Sequence, residues 1–172
     1  MPHYQELVAI GEPFEAFVSR GLPTEIAAVH SARAQLDAAE NVSANTPRRL
    51  AAVQGRYHLL AAAEMWCPDC QLNLTAMDHL QRTQPKVTLA IISKGRAEHD
   101  LRDQLKLERI PIPLVLVLDK RFELIGRFVE QPQAVITGGE AIKPDYRAGR
   151  YLHSTLDDLL AIIEAHEQPA RP

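Results

Sequence analysis

The chain has 172 residues, 46% of them hydrophobic and 24% charged. That is enough apolar material for one packed domain, and it argues against global disorder. Its 19 basic residues face 22 acidic ones, a formal charge of −3, which leaves no basic footprint for nucleic acid and no polyanionic tail.

The N-terminal run MPHYQELVAIGEPFEAF has no basic segment followed by an apolar stretch, so no secretory signal is visible. The longest apolar runs, such as Ile112 to Leu118, fall far short of the roughly 18 residues that would span a bilayer. A cytoplasmic protein with no membrane partner is expected. Residues 1–55 read as a helical extension. Phe14, Phe17 and Val18 give an apolar face after Pro13, and Gly21-Leu22-Pro23 breaks the chain. Thr24 to Glu40 is an Ala-rich helix with Ile26, Val29, Ala32 and Leu36 on one stripe. Asn41 to Asn45 reads as polar loop. Thr46 then reads as a cap, with Pro47 at the first helical position and Gly55 closing a short helix.

Residues 56–172 change character and read as a separate α/β domain. Tyr57 to Met65 is a mostly apolar run of strand length, which fits a strand buried on both faces. Pro68 opens a helix to about Gln81. Val87 to Ser93 is a second buried strand, and Ala97 to Leu107 a charged helix with Leu101 and Leu105 inward. Pro113 to Leu118 and Phe122 to Val129 are two more strands joined by a tight turn. Gln131 to His153 reads as irregular. Ser154 is expected to cap a last helix, with Leu156, Leu159, Leu160 and Ile163 on one face. The β-α-β unit requires parallel strands and a right-handed crossover, and the hairpin adds antiparallel ones. The fold class is therefore α/β, a mixed central sheet flanked by helices.

The chain has two cysteines, Cys67 and Cys70, placed where the first strand gives way to a helix. Unpaired N–H groups and the positive end of the helix dipole gather there. A thiolate at that position is stabilised, and its pKa falls below the free value of about 8.5. Two cysteines three apart can also close a disulfide. Pro68 suits the first helical turn because its missing N–H would be unpaired anyway. Asp69 works against the thiolate through its charge, which favours a couple toward the reducing end.

Trp66-Cys67-Pro68-Asp69-Cys70 resembles the redox motif of the thioredoxin superfamily, in the form carried by cytosolic thioredoxin-related proteins. Ile112-Pro113, ahead of an apolar strand, resembles the family's cis-proline, and Ile125-Gly126 lies near a family glycine. The likeness spans about Tyr57 to Val129 plus the last helix. The N-terminal helices resemble the extension of a bacterial group of thioredoxin-like proteins. The resemblance implies a thioredoxin-like fold with an N-terminal helical extension. It implies Cys67 as nucleophile and Cys70 as resolving thiol, with no cofactor. Trp66 would form an apolar rim, Pro113 would pack beside the cysteines, and the Ile112 backbone would pair with an extended substrate, while Pro68 and Asp69 border it.

Two departures stand out. Thioredoxins carry a buried Asp six residues before the first cysteine, where this chain has Ala61, and a Lys on the next strand, where it has Ile91. Losing both is coherent, since either charge alone would be costly to bury. Glu64 is no substitute by strand alternation. Slow resolution by Cys70 is expected.

The expected activity is thiol–disulfide exchange, as a dithiol reductase of protein or small-molecule disulfides fed by an external thiol donor. The alternative is a non-catalytic redox-sensing or protein-binding module switched by the same cysteine pair. Zinc is a third reading of a bare CxxC, but no second CxxC or HxxxH supplies the remaining ligands, and His58 and His79 are the nearest candidates. Tyr146, Arg147, Arg150 and Tyr151 read either as an anchor for a long loop or as an anion or partner site.

Overall fold

A computed structural model describes residues 3–38, 43 and 45–169. The N-terminal region carries α1 (Tyr4–Ile10), α2 (Phe14–Ser19), α3 (Pro23–Asp37) and α4 (Thr46–Ala51). Then follow β1 (Tyr57–Ala62), α5 (Pro68–Thr83), β2 (Val87–Ile92) and α6 (Lys94–Asp100). The chain continues with β3 (Leu114–Leu118), β4 (Leu124–Val129), α7 (Gln133–Gly138), a 3-10 turn (Gly139–Ile142), α8 (Lys143–Arg147) and α9 (Leu152–Glu167).

The four strands form one sheet in the order β2-β1-β3-β4. β1 and β2 are parallel across the α5 crossover, β3 runs antiparallel to β1, and β4 antiparallel to β3. The inner strands β1 and β3 are almost wholly apolar because both their faces are covered, whereas the outer strand β4 is half-exposed and carries Arg127 outward. Leu59, Ala61, Val115 and Val117 point into one core with Leu74, Met77, Leu156 and Leu160 from α5 and α9. Leu60, Ala62, Leu114 and Leu116 point into the other, with Leu7 of α1, Ala97 of α6, and Leu101. The period of two along each strand makes this division. Phe14, Phe17, Val29 and Leu36 of the N-terminal helices enter the first core. Glu12 and Ile91 exchange backbone hydrogen bonds of 2.8 and 3.0 Å, which covers the outer edge of β2.

Several local expectations are corrected. A helix at Tyr4–Ile10 precedes the first one read from sequence. The charged helix starts at Lys94, where the Ser93 hydroxyl accepts from the Arg96 N–H at 3.0 Å, and ends at Asp100 rather than Leu107. The segment 131–153 is largely helical, holding α7 and α8. The last helix begins at Leu152, so Ser154 lies inside it and caps nothing. Asn45, not Thr46, stands before α4, and Gly55 lies beyond its end. There the Gly55 N–H donates to Glu167 at 2.7 Å. The end of the helix expected to reach Glu40, and most of the loop expected at Asn41 to Asn45, lie outside the described residues. Among the described residues no helix is long and apolar enough to cross a membrane.

Candidate active site

β1 ends at Ala62, and the chain turns through Met65 and Trp66 into α5. Cys67 is the residue before the first helical turn, with extended backbone, and Pro68 is the first helical residue. The Cys67 N–H donates to the Glu64 carbonyl at 3.2 Å, and its carbonyl accepts from the Gln71 N–H at 3.0 Å. The Cys67 sulfur thereby takes the place a serine or aspartate side chain takes at a helix start: it accepts from the backbone N–H of Cys70 at 3.3 Å. Gln71 Nε2 donates to the Met65 carbonyl at 2.6 Å, tying the turn to the first turn of the helix.

The two sulfurs are unlike. Cys67 keeps 7% of its surface accessible and Cys70 none. The Cys67 thiol is lowered from its ordinary value to about 7. Its bond from the Cys70 thiol is the main cause; burial opposes it, the Cys70 and Asp69 amides assist, and the Asp69 charge pushes it back up. Burial first, then the interaction with Cys67, pushes the Cys70 thiol far up. One cysteine is therefore a ready anion near neutral pH, while its neighbour stays protonated and donates to it.

The remaining residues singled out from sequence divide. The Ile112–Pro113 peptide bond is cis, and the Ile112 carbonyl lies 3.7 Å from Cys67 Sγ. Pro113 is buried and Ile112 half-buried at the start of β3. Trp66 stands 60% exposed beside Cys67. Pro68 is exposed and Asp69 half-buried. Ala61 and Ile91 are register partners on β1 and β2, both buried. The Glu64 carboxylate accepts from the Lys94 N–H at 2.8 Å and is engaged with the start of α6. His58 stacks on Phe122 with ring centroids 4.4 Å apart, and its Nδ1 lies 2.8 Å from Thr88 Oγ1. Among the described residues no group of three or more His, Cys, Asp or Glu is placed to hold a metal ion.

Sequence reasoning missed the surroundings of Asp69. Its carboxylate accepts from Tyr146 Oη at 2.7 Å, Arg147 Nη1 at 3.2 Å and Gln131 Nε2 at 3.4 Å. Tyr146 and Arg147 belong to α8, inside the stretch expected to be irregular. The pairing of a Tyr with an Arg in that stretch was visible, but its target was not. Arg150, by contrast, pairs with Asp145 at 2.7 Å within its own segment.

A family model described as thioredoxin matches residues 11–143. A crystal structure of a protein of unknown function from Pseudomonas aeruginosa is 55% identical, with a TM-score of 0.93 over 96% of this chain and 99% of that one. An HIV epitope scaffold is 54% identical, with a TM-score of 0.92 over 95% of this chain and 99% of that one. No match was found among curated proteins. The chain belongs to the thioredoxin family, and its mixed sheet with flanking helices is a thioredoxin-like α/β fold.

Proposed function

We propose that the protein is a thiol–disulfide oxidoreductase working as a dithiol reductase on protein or small-molecule disulfides. The observation that carries this reading is the asymmetry of the cysteine pair: an acidified Cys67 at the start of α5 that keeps a small exposed surface, beside a Cys70 that keeps none. The Cys67 thiolate attacks one sulfur of a substrate disulfide, forming a mixed disulfide and releasing the first substrate thiolate. Cys70, losing its proton, attacks Cys67 and releases the second. The substrate gains two electrons and two protons, and the protein is left with a Cys67–Cys70 disulfide. An external thiol donor in a cytoplasmic setting returns the pair to the dithiol.

In this reading Trp66, Pro68, Asp69, Ile112 and Pro113 border the substrate. The exposed Trp66 ring offers an apolar wall, and the Ile112 backbone beside Cys67 offers a place for an extended segment to pair. Reduction of insulin or a small aromatic disulfide with a dithiol donor tests the proposal. Turnover is expected and is expected to vanish in Cys67→Ser, while Cys70→Ser accumulates mixed disulfides that dithiothreitol releases. Absence of turnover in the wild-type protein would contradict it.

One observation favours a second reading, a redox-switched binding module. Apolar Ala61 and Ile91 occupy the interior beside the site, where a proton acceptor for Cys70 would assist turnover. Partner capture that depends on the Cys67–Cys70 disulfide, without turnover, would favour that reading.

A further inference from the structure

Asp69 is the charged residue within the Cys67–Cys70 turn, and its carboxylate is not free. One oxygen, Oδ1, receives Tyr146 Oη at 2.7 Å, Arg147 Nη1 at 3.2 Å and Gln131 Nε2 at 3.4 Å. Tyr146 is fully buried. Its hydroxyl accepts from Asn73 Nδ2 at 2.9 Å, and Asn73 Oδ1 accepts from Thr155 Oγ1 at 2.6 Å. Asn73 Nδ2 also donates to the Asp69 and Glu130 carbonyls at 2.8 and 3.2 Å. The hydrogen bonds run in one direction, from Thr155 on α9 through Asn73 on α5 to Tyr146 on α8, and end on the carboxylate. Burial first, then the bond to Asp69, pushes the phenol above its ordinary value, so it stays a donor.

Resting on the reading of Cys67 as nucleophile, we propose that Tyr146 and Arg147 are positioning residues. They hold the Asp69 carboxylate in one place relative to the sulfur, and so set how readily Cys67 becomes a thiolate and how reducing the Cys67–Cys70 couple is. A bare carboxylate two residues from Cys67 opposes the thiolate through space. The guanidinium at 3.2 Å and the buried hydroxyl at 2.7 Å tether that carboxylate to α8 and so fix how closely its charge can approach the sulfur. Among the described residues, the titratable groups in contact with the Asp69 carboxylate are Tyr146 and Arg147; Gln131 is neutral. The groups acting on Cys67 are Cys70 and Asp69, so α8 reaches the sulfur through Asp69.

The test uses the full chain. The rate of iodoacetamide alkylation at Cys67 is followed against pH, and the dithiol–disulfide couple is equilibrated with glutathione. Arg147→Gln and Tyr146→Phe are made alone and together with Asp69→Asn. Each single change on α8 is expected to lower the Cys67 thiolate population near neutral pH about threefold and to make the couple more reducing. Asp69→Asn is expected to do the opposite. Adding either α8 change to Asp69→Asn is expected to move neither readout. A loss of packing alone would not be cancelled by Asp69→Asn. If buried Tyr146→Phe does not fold, half-exposed Arg147→Gln carries the test. An alkylation profile unmoved by Arg147→Gln, or moved equally with and without the Asp69 charge, would overturn the proposal. The alkylation profile needs no turnover, so a protein that fails to reduce disulfides yet shows this coupling counts against the reductase reading alone.

Discussion

Ala61 on β1 and Ile91 on β2 stand opposite each other in the parallel register, both buried. Thioredoxins carry an acid and a lysine at the corresponding places. The apolar pair removes two charges whose burial would be costly unless each matched the other. It also leaves Cys70, pushed far up by burial, without a buried carboxylate on β1 to take its proton. Resolution of a mixed disulfide is therefore expected to be slower than in a thioredoxin control. Single-turnover mixing of the reduced protein with a labelled disulfide reads this step directly; resolution as fast as the control would contradict the role assigned to Ala61.

Stability is expected to fall on acidification through α9. Glu167 accepts from the Gly55 and Gln54 amides at 2.7 and 3.1 Å and from Tyr57 Oη at 2.7 Å. Burial alone would raise its pKa, but these donors together hold it below the ordinary value. Glu164 is held low chiefly by the Arg49 guanidinium at 2.8 Å. A depressed carboxylate contributes stability that is complete above its unfolded value, about 4.3, and lost as pH falls through the lower folded value. Thermal melts from pH 6 to pH 3 are expected to drop below about pH 4.3. The drop should flatten when Glu164→Gln and Glu167→Gln are combined. With both partners of the Arg49 pair partly exposed, Glu164→Gln alone is expected to cost about 0.5–1 kcal/mol at neutral pH.

Gly126 on β4 is required by its neighbour and not by its backbone angles. A Cβ there would lie 2.6 Å from Ile162 Cγ2 on α9. A β-branched side chain gives little, because its χ1 is stiff. Gly126→Ala is expected to destabilise by roughly 1–2 kcal/mol through overpacking, seen as a lower denaturation midpoint with an unchanged m-value. A neutral Gly126→Ala would mean that α9 shifts freely against β4.

The parts of this fold legible in the sequence are those with a repeated local signal. Three mostly apolar runs became β1, β2 and β3 because a strand covered on both faces has few polar positions to lose. β4 was legible from its alternation, with Arg127 exposed and Phe128 buried. The start of α5 was legible from Cys67 and Pro68, which suit a helix N-terminus on their own chemistry. Tyr4–Ile10 and Lys143–Arg147 were not, because helices of 7 and 5 residues have too few turns to show a period. Tertiary contacts hold them instead: Leu7 enters the core shared with α6, and Tyr146 sits buried on Asn73 and Asp69. Ser154 misled because its residue type favours caps, whereas Leu152 opens the helix and is buried. In the candidate site the cysteine pair was readable. The reach of Tyr146 to Asp69, 77 residues apart, was not, since no local spacing encodes it. The effect of Asp69 was likewise half legible. Its sign on Cys67 follows from charge alone, but its outweighing by the Cys70 contacts needs the geometry.

The pH dependence of Cys67 alkylation, with the modified cysteine identified by mass spectrometry, tests the central claim most directly. Cys67 is expected to react with a midpoint near 7 and Cys70 to resist modification throughout that range. A Cys67 midpoint at the free-cysteine value of about 8.5, or two cysteines reacting alike, would contradict the assignment of an activated nucleophile at the start of α5.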